Sequence, residues 1–261
     1  MNSFTLSEHS NNAVKAIIFN ADGKILLQKR DNHKNLPFAN CWNFFGGIVE
    51  KEESLTAALK RELNEEISYI PKNIENAAFN WIWKSEWRQT VNHFYPLLWD
   101  GQISDLDLKE GQEMRLFSLD EILKLELVPA IYCNFANIYK IISKDKNAIN
   151  GNLINFITDR FVKNNNLIKK NERVFFAASE NIKLSRQQIF LFREISILNN
   201  LEVSRICLHR DQNSLIQEMI MFHCKSTTVG PLKQLNQSIS YHIIDGVIQI
   251  SVYENEKIRD T

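Results

Sequence analysis

The sequence predicts an α/β protein in which helices cover a mixed β-sheet, followed by a smaller, mostly-β region. Runs of β-branched and aromatic residues alternate with helical periodicity in the first half of the chain. A paired glycine joins one of these runs to a strongly acidic helix, and the second half has several strand-like runs after one helix. With 261 residues, 44% of them hydrophobic, the chain can form one large domain or two small ones with real cores.

Two strands, Ala13–Phe19 and Lys24–Lys29, begin the predicted sheet, and the Ala-Asp-Gly between them is a hairpin signal. Arg30 follows the second strand, where a cation could meet a substrate phosphate, although a plain surface charge is equally consistent. The run Phe44–Gly47 then ends in two glycines. Glycines at this point allow a tight passage from strand to helix and a close approach of the backbone to a ligand.

The helix predicted after these glycines carries the strongest functional signal. Ser54 offers an N-cap, and an apolar stripe on one side is formed by Leu55, Ala58, Leu59, Leu63 and Ile67. Glu62, Glu65 and Glu66 lie at i, i+3 and i+4, so they share one face of the helix. Their repulsion costs a few tenths of a kcal/mol per pair unless a cation bound through oxygen neutralises it. The spacing therefore predicts a magnesium site, against the simpler alternative of a solvated acidic face.

The same segment resembles the signature of the Nudix hydrolases, which runs glycine, five residues, Glu, seven residues, Arg-Glu-apolar-any-Glu-Glu-any-Gly-apolar. The matching positions are Gly47, Glu53, Arg61, Glu62, Leu63, Glu65 and Glu66. The sequence departs from the signature at Ser68, where the family has glycine, and Tyr69 is a large occupant of the final apolar position. Because that glycine ends the helix in a left-handed conformation, serine there should cost on the order of 1 kcal/mol and leave the acidic face intact.

The resemblance implies an α/β/α sandwich over about residues 10–142 and hydrolysis of a nucleoside diphosphate linked to another group, with Mg²⁺ or alternatively Mn²⁺. The implied metal ligands are the Gly47 carbonyl, Glu62, Glu65 and Glu66, direct or through water. The resemblance also implies that Arg61 orients this cluster, and a carboxylate pair with Glu53 would let it do so. The nucleoside triphosphates, ADP-ribose and nucleotide sugars all share the diphosphate, so the substrate stays open among them. A non-catalytic module that binds or senses nucleotides is the alternative.

Three further positions are candidates for contact with the reacting groups. The general base could be one of the motif glutamates or a glutamate of a later loop, where Glu110 and Glu113 lie; we prefer Glu113, with a solvated surface residue as the alternative. Trp42 and Phe44 flank the glycine loop and could stack on a nucleobase, although aromatic residues in such runs are more often part of a core.

The rest of the first half predicts a further strand pair and two helices. Trp81, Trp83 and Trp87 belong to one strand and His93–Trp99 to the next. Helical segments are predicted at Ser118–Leu125 and, after Pro129, at Ile131–Ile142. Residues 144–172 change to polar clusters around a short amphipathic piece, which predicts a partly helical linker between a domain at 1–143 and a second domain at 173–261.

The second domain is predicted to be mostly β with one leading helix, which Ser185 and Gln188 begin with a capping box. The predicted strands are Arg173–Ala178, Val203–His209, Ile216–His223 and Ile239–Tyr253. This region resembles the WbuC-type cupins in the runs Ser204–His209 and Gln217–Ile220. The metal motif of that family falls here on residues without its ligands, so a truncated, metal-free partial jelly roll is expected. Its open strand edge could pair with a second copy in a homodimer.

Overall composition sets the expected surroundings of the protein. The 31 basic and 31 acidic residues cancel, which argues against nucleic acid or an anionic membrane as a general partner. Because the first residues lack a secretory pattern and no apolar run is long enough to span a bilayer, a cytoplasmic location is expected. The four cysteines show no paired spacing, so reduced, mostly buried thiols are expected and a zinc site is not.

Overall fold

A computed structural model of the chain describes residues 10–84, 89–143, 151–179, 182–209, 218–225, 227–228, 242–248, 252–254 and 257–260. Met1–Lys225 form one compact unit and Ser226–Thr261 form a second. In the second unit, β11 (Val252–Glu254) pairs antiparallel with β12 (Lys257–Asp260). Trp87 and the positions of the cupin metal motif lie outside the described residues. Of the strand predicted at Ile239–Tyr253, residues 242–248 are described and are not in a strand, while Val252 and Tyr253 belong to β11.

A mixed six-stranded sheet is the centre of the first unit. Its strands are β1 (Ser10–Phe19), β2 (Ile25–Lys29), β3 (Trp42–Asn43), β4 (Phe79–Lys84), β5 (Gln89–Leu98) and β6 (Glu113–Phe117). The order is β3-β2-β1-β5-β4, with β6 also paired to β2. β1 and β5 run parallel over ten residues and the other pairs are antiparallel, which confirms the predicted α/β class with a mixed sheet.

Helix α1 (Leu55–Ile67) covers one face of this sheet, as its apolar stripe predicts. The Ser54 hydroxyl caps it by accepting the Ala57 N–H at 3.2 Å. Ser68 ends the helix in the left-handed region with φ 54°, so the turn keeps the conformation that the signature glycine would adopt, at some strain. The acidic face of α1 is thereby positioned beside the glycine loop.

The opposite face of the sheet is covered by three short helices, α2 (Leu119–Ile122), α3 (Pro129–Tyr132) and α4 (Phe135–Ser143). Helices on both faces complete the expected α/β/α sandwich.

The compact unit continues past residue 143 with a second, smaller sheet. Its elements are α5 (Gly151–Asn164), β7 (Leu167–Lys169), β8 (Val174–Ala177), α6 (Arg186–Leu198), β9 (Val203–Cys207) and β10 (Met219–His223). The strand order is β10-β9-β8-β7, and β8 and β9 are parallel with α6 between them in the chain. The capping box of Ser185 and Gln188 is present at the start of α6.

The structure differs here from the predicted linker and the mostly-β second domain. Ile157, Phe161 and Leu167 are buried in the same apolar cluster as the helices on the sheet, so this stretch belongs to a core. A jelly roll is built from antiparallel strands, whereas α6 connects a parallel pair, so the described residues do not confirm a cupin-like fold. The compact unit also extends to Lys225, beyond the predicted boundary at residue 143.

Side chains of α6 attach it to the part of the chain that runs from α2 to α4. The Gln187 amide accepts the Leu127 N–H at 2.8 Å and donates to the Leu125 carbonyl at 2.7 Å. The Glu194 carboxylate accepts the Ala136 N–H at 3.0 Å, at the start of α4. Among the described residues, none of the helices is long and apolar enough to cross a membrane. Of the four cysteines, Cys133 and Cys207 are buried, Cys41 is partly exposed and Cys224 is exposed.

Candidate active site

Arg61 is the centre of the hydrogen-bond network on the acidic face of α1. Its Nε and Nη2 atoms each donate to one oxygen of Glu53 at 3.0 Å, which is the forked carboxylate pair expected from the sequence. Its Nη1 atom donates to Glu62 at 2.8 Å and to Glu65 at 3.0 Å. The bond from Arg61 lowers the pKa of the Glu53 carboxyl, and these carboxylates raise the pKa of Arg61. Arg61 therefore holds three of the motif carboxylates in fixed positions.

Glu66 is the buried member of the acidic face, with 7% of its surface exposed. Its carboxylate accepts the Gly46 N–H at 2.6 Å and the Gln28 side-chain amide at 2.7 Å. Burial raises the pKa of Glu66, and the Gly46 N–H, Lys15 and Gln28 act against this shift. Glu66 thus links helix α1 to the glycine loop and to strand β2.

The glycine loop lies against the acidic face so closely that side chains would not fit. A Cβ atom on Gly47 would lie 2.4–2.5 Å from the carboxylate of Glu62, and one on Gly46 would lie 2.3 Å from the Val14 carbonyl oxygen. Gly46 also has φ +112°, which favours glycine. The Gly47 carbonyl, expected as a metal ligand, accepts the Val14 N–H at 2.9 Å. The Gly46 carbonyl instead accepts the Lys15 ammonium at 2.7 Å.

Sequence reasoning missed three residues that build this site: Lys15, Gln28 and Gly111. Gly111, with φ +90°, lets the loop before β6 lie on Gln28, because a Cβ there would be 2.8 Å from the Gln28 amide oxygen. The same loop is tied to the end of α1 by a hydrogen bond of 2.8 Å from the Lys109 N–H to the Glu66 carbonyl. A glycine shortly before a strand is the sequence signal that could have pointed to this contact.

Other predicted site residues lie away from the acidic cluster. Phe44 is fully buried, and Trp42 is 8% exposed and packs edge-on against Phe117 at 4.5 Å. These two side chains are core residues, so their expected use as a platform for a nucleobase is not supported. The Arg30 guanidinium donates to the Pro37 carbonyl at 3.2 Å. Glu113 is exposed at the start of β6, opposite Lys29.

The chemistry of the donor set fits a hard divalent cation, because it consists of carboxylate and carbonyl oxygens. Arg61 bonds to one oxygen of Glu62 and one oxygen of Glu65, so each carboxylate keeps a second oxygen for a cation. In the part of the chain that the structure describes, however, no three His, Cys, Asp or Glu side chains are gathered around a common point. Metal binding at this site would require the carboxylates to turn towards the ion.

Comparison with known proteins assigns a family to the half of the chain that carries this site. The NUDIX domain model matches residues 9–136. The chain is 30% identical over 135 residues to an RNA pyrophosphohydrolase from Pelagibacter ubique, a match that covers 44% of this chain and 80% of the relative. It is 34% identical over 125 residues to an ADP-ribose pyrophosphatase from Methanocaldococcus jannaschii, covering 47% and 70%. A MutT protein structure from Methanosarcina mazei matches 54% of this chain and 99% of its own, with 23% identity and a TM-score of 0.45.

The matched family model and these relatives define the class of protein, enzymes that hydrolyse pyrophosphate bonds. The chain belongs to the Nudix family and is a Nudix-type pyrophosphohydrolase. The expected family membership is confirmed for residues 9–136.

Proposed function

We propose that the protein is a magnesium-dependent hydrolase that cleaves the pyrophosphate bond of a nucleoside diphosphate derivative. The observation that carries the proposal is the assembly of Glu53, Glu62 and Glu65 around Arg61, next to a glycine loop that holds Glu66. Such a cluster supplies the positioning and charge that phosphoryl transfer needs.

Charge balance supports a divalent ion at this site. The motif carboxylates are Glu53, Glu62, Glu65 and Glu66, and the cations among them are Arg61 and Lys15. Fully ionised, this set has an excess of two negative charges, which one Mg²⁺ or Mn²⁺ would balance. The ion would be held by Glu62, Glu65 and Glu66, with the Gly47 carbonyl as the further expected ligand. Bound there, it would neutralise pyrophosphate oxygens and lower the pKa of a coordinated water.

The chain's own residues would position the reaction. Arg61 would keep Glu62 and Glu65 oriented, because its Nη1 atom bonds to one oxygen of each carboxylate and leaves the second oxygen for the ion. Proton removal from the attacking water is assigned to one of the motif glutamates or to Glu113, which stays our preferred base. The expected contact of Arg30 with a substrate phosphate stays a prediction as well.

The names of the two relatives bear on the substrate class. The relatives named above are an RNA pyrophosphohydrolase and an ADP-ribose pyrophosphatase, and a 5′-triphosphorylated RNA and ADP-ribose both carry a pyrophosphate next to a nucleoside. We propose a small nucleotide as the substrate of this chain, with nucleoside triphosphates, ADP-ribose and nucleotide sugars as the compounds to compare. A 5′-triphosphorylated RNA serves as the contrasting substrate, because balanced charge gives no general attraction to nucleic acid.

The test is a hydrolysis screen of these compounds with Mg²⁺, with Mn²⁺ and with a chelator, on the wild type and Glu65→Gln. We expect metal-dependent hydrolysis of at least one compound and a rate at least about a hundredfold lower in Glu65→Gln, because a metal ligand is lost. Glu75→Gln is the matched control, since Glu75 is exposed and lies outside the helix. Binding without hydrolysis would favour the alternative, a nucleotide-binding regulatory module.

The region after residue 173 has a separate proposed role. We propose that it mediates self-association, and its resemblance to a cupin and the cytoplasmic location stay predictions. Solution mass measured by light scattering tests the association, because a monomer at all concentrations would contradict it.

A further inference from the structure

The side chain of Lys15 ends inside the candidate active site. Its ammonium donates to the Gly46 carbonyl at 2.7 Å. The backbone on both sides of it is fixed, because the Val14 N–H donates to the Gly47 carbonyl at 2.9 Å and the Ala16 N–H donates to the Phe45 carbonyl at 3.0 Å. Strand β1 therefore holds the ammonium in place against the glycine loop.

Lys15 and Glu66 are attached to the same glycine from its two sides. The Gly46 N–H donates to Glu66, while its carbonyl accepts Lys15. Burial lowers the pKa of Lys15, the carboxylates of Glu66 and Glu62 act against this shift, and Arg30 adds to it. Its charge thus acts on two of the three glutamates that would hold a divalent ion, and it occupies a carbonyl oxygen of the kind such ions use.

We propose that Lys15 is a positioning residue that serves as a resident cation of this site. Its ammonium donates to the Gly46 carbonyl and offsets the negative charge of Glu62 and Glu66. The cluster therefore binds divalent ions more weakly than it would without the lysine, or it binds one ion fewer. This inference rests on the metal site of the proposed function.

The expected consequence follows from the electrostatics. A unit positive charge beside a cluster of carboxylates opposes the binding of a further cation, and in a partly buried site this opposition is large. Removing the charge while keeping the length of the side chain should therefore tighten divalent binding by about tenfold or more, or add a second bound ion. Hydrogen bonding alone should not produce this effect.

The experiment is a titration of Mn²⁺, with free Mn²⁺ read by electron paramagnetic resonance. The proteins are the wild type, Lys15→Met, Lys15→Gln and the control Lys60→Met, which removes an exposed lysine of α1. Lys15→Gln keeps an N–H donor, on a side chain one bond shorter, but has no charge. We expect both Lys15 variants to gain affinity or stoichiometry, and Lys60→Met to change affinity by less than about twofold. Wild-type affinity in both Lys15 variants, or in Lys15→Gln alone, would overturn the proposal.

A measurement on the wild type avoids dependence on variants that fold poorly. The ¹⁵N-labelled ammonium signal of Lys15 should broaden with the first equivalent of Mn²⁺, and an unaffected signal would contradict the inference. Glu65→Gln separates this proposal from the metal site itself. If the wild type does not bind Mn²⁺, or if Glu65→Gln binds it equally well, the proposed metal site is wrong. If Glu65→Gln weakens binding but the Lys15 variants do not change it, only the proposed role of Lys15 is wrong.

Discussion

Two buried glutamates, one in each half of the compact unit, show what distinguishes the candidate site from a structural contact. Glu66 and Glu194 lie on helices, with 7% and 4% of their surfaces exposed. Each accepts a backbone N–H from a distant segment, Gly46 in one case and Ala136 in the other. Burial raises the pKa of both carboxyls. By these measures the two sites are alike.

They differ in how their charge is compensated. Glu194 forms a direct ion pair with Arg193 at 3.0 Å, so the neighbouring guanidinium compensates its negative charge. The groups that donate to Glu66 are the neutral Gly46 N–H and the Gln28 amide, and two further glutamates share its helix face. A raised pKa alone therefore does not mark the functional site. The excess of negative charge beside Glu66 is what marks it.

The largest expected effect separates the two residues by activity. Glu66→Gln should lower kcat by at least about a hundredfold, because an amide oxygen replaces a charged metal ligand. Glu194→Gln should leave kcat within about twofold, since Glu194 lies outside the acidic cluster and binds α4. Steady-state kinetics on the best substrate with Mg²⁺ provide the comparison. Equal losses in both variants would mean that Glu66 is also only structural.

Loss of Glu194 should instead lower the stability of the protein. Glu194→Ala leaves the Ala136 N–H and the Arg193 side chain without their shared acceptor, so it should lower the free energy of unfolding by about 2 kcal/mol. Urea unfolding monitored by circular dichroism measures this loss. Gln187→Ala is the companion variant, because it removes a second polar attachment of α6. A stability equal to that of the wild type would show that α6 is not attached through Glu194.

The pH dependence of stability tests the raised pKa of Glu194. Because burial raises this pKa in the folded state, the native protein keeps a proton that the unfolded chain releases above about pH 4.3. The free energy of unfolding of the wild type should therefore fall as the pH rises from the pKa of Glu194 in the unfolded chain through its pKa in the folded protein. Glu194→Gln lacks this contribution, so its free energy of unfolding should rise relative to that of the wild type over the same pH range. A constant difference between the two unfolding free energies from pH 4 to 8 would contradict the assignment.

The smallest expected effect concerns Glu113, which is exposed and has no hydrogen bond to the acidic cluster among the described residues. If Glu113 is the general base, Glu113→Gln should lower kcat by about tenfold with little change in KM, because a base acts in the transition state. Glu110→Gln tests the other glutamate of this loop. Unchanged kcat in both variants would leave the base among Glu53, Glu62, Glu65 and Glu66.

Local spacing predicted the parts of the site that a single helix and its loop build. The Ser54 cap, the apolar stripe of α1 and the fork between Arg61 and Glu53 all follow from positions within one segment. Lys15 and Gln28 could not be found this way, because they meet the loop and helix only through strand pairing and lie 31 and 38 residues from their partners.

Two other differences have a similar origin. Alternation along a strand does not say which face meets a core, so Phe44 and Trp42 were expected at a ligand and are packed inside instead. Polar clusters at both ends of residues 144–172 suggested a linker, while Ile157 and Phe161 between them supply apolar contacts to the core. The partners of these side chains are far away in the sequence, which is why composition alone misplaced them.

The most direct test of the central claim is a paired assay of hydrolysis against Mg²⁺ concentration for Glu66→Gln and Glu194→Gln, each beside the wild type. The account predicts that the wild type and Glu194→Gln share one Mg²⁺-dependent curve, and that Glu66→Gln stays at least about a hundredfold lower at saturating Mg²⁺. Wild-type hydrolysis that persists with a chelator, or a Glu66→Gln curve that overlays the wild type, would contradict a metal-dependent site on the acidic face of α1.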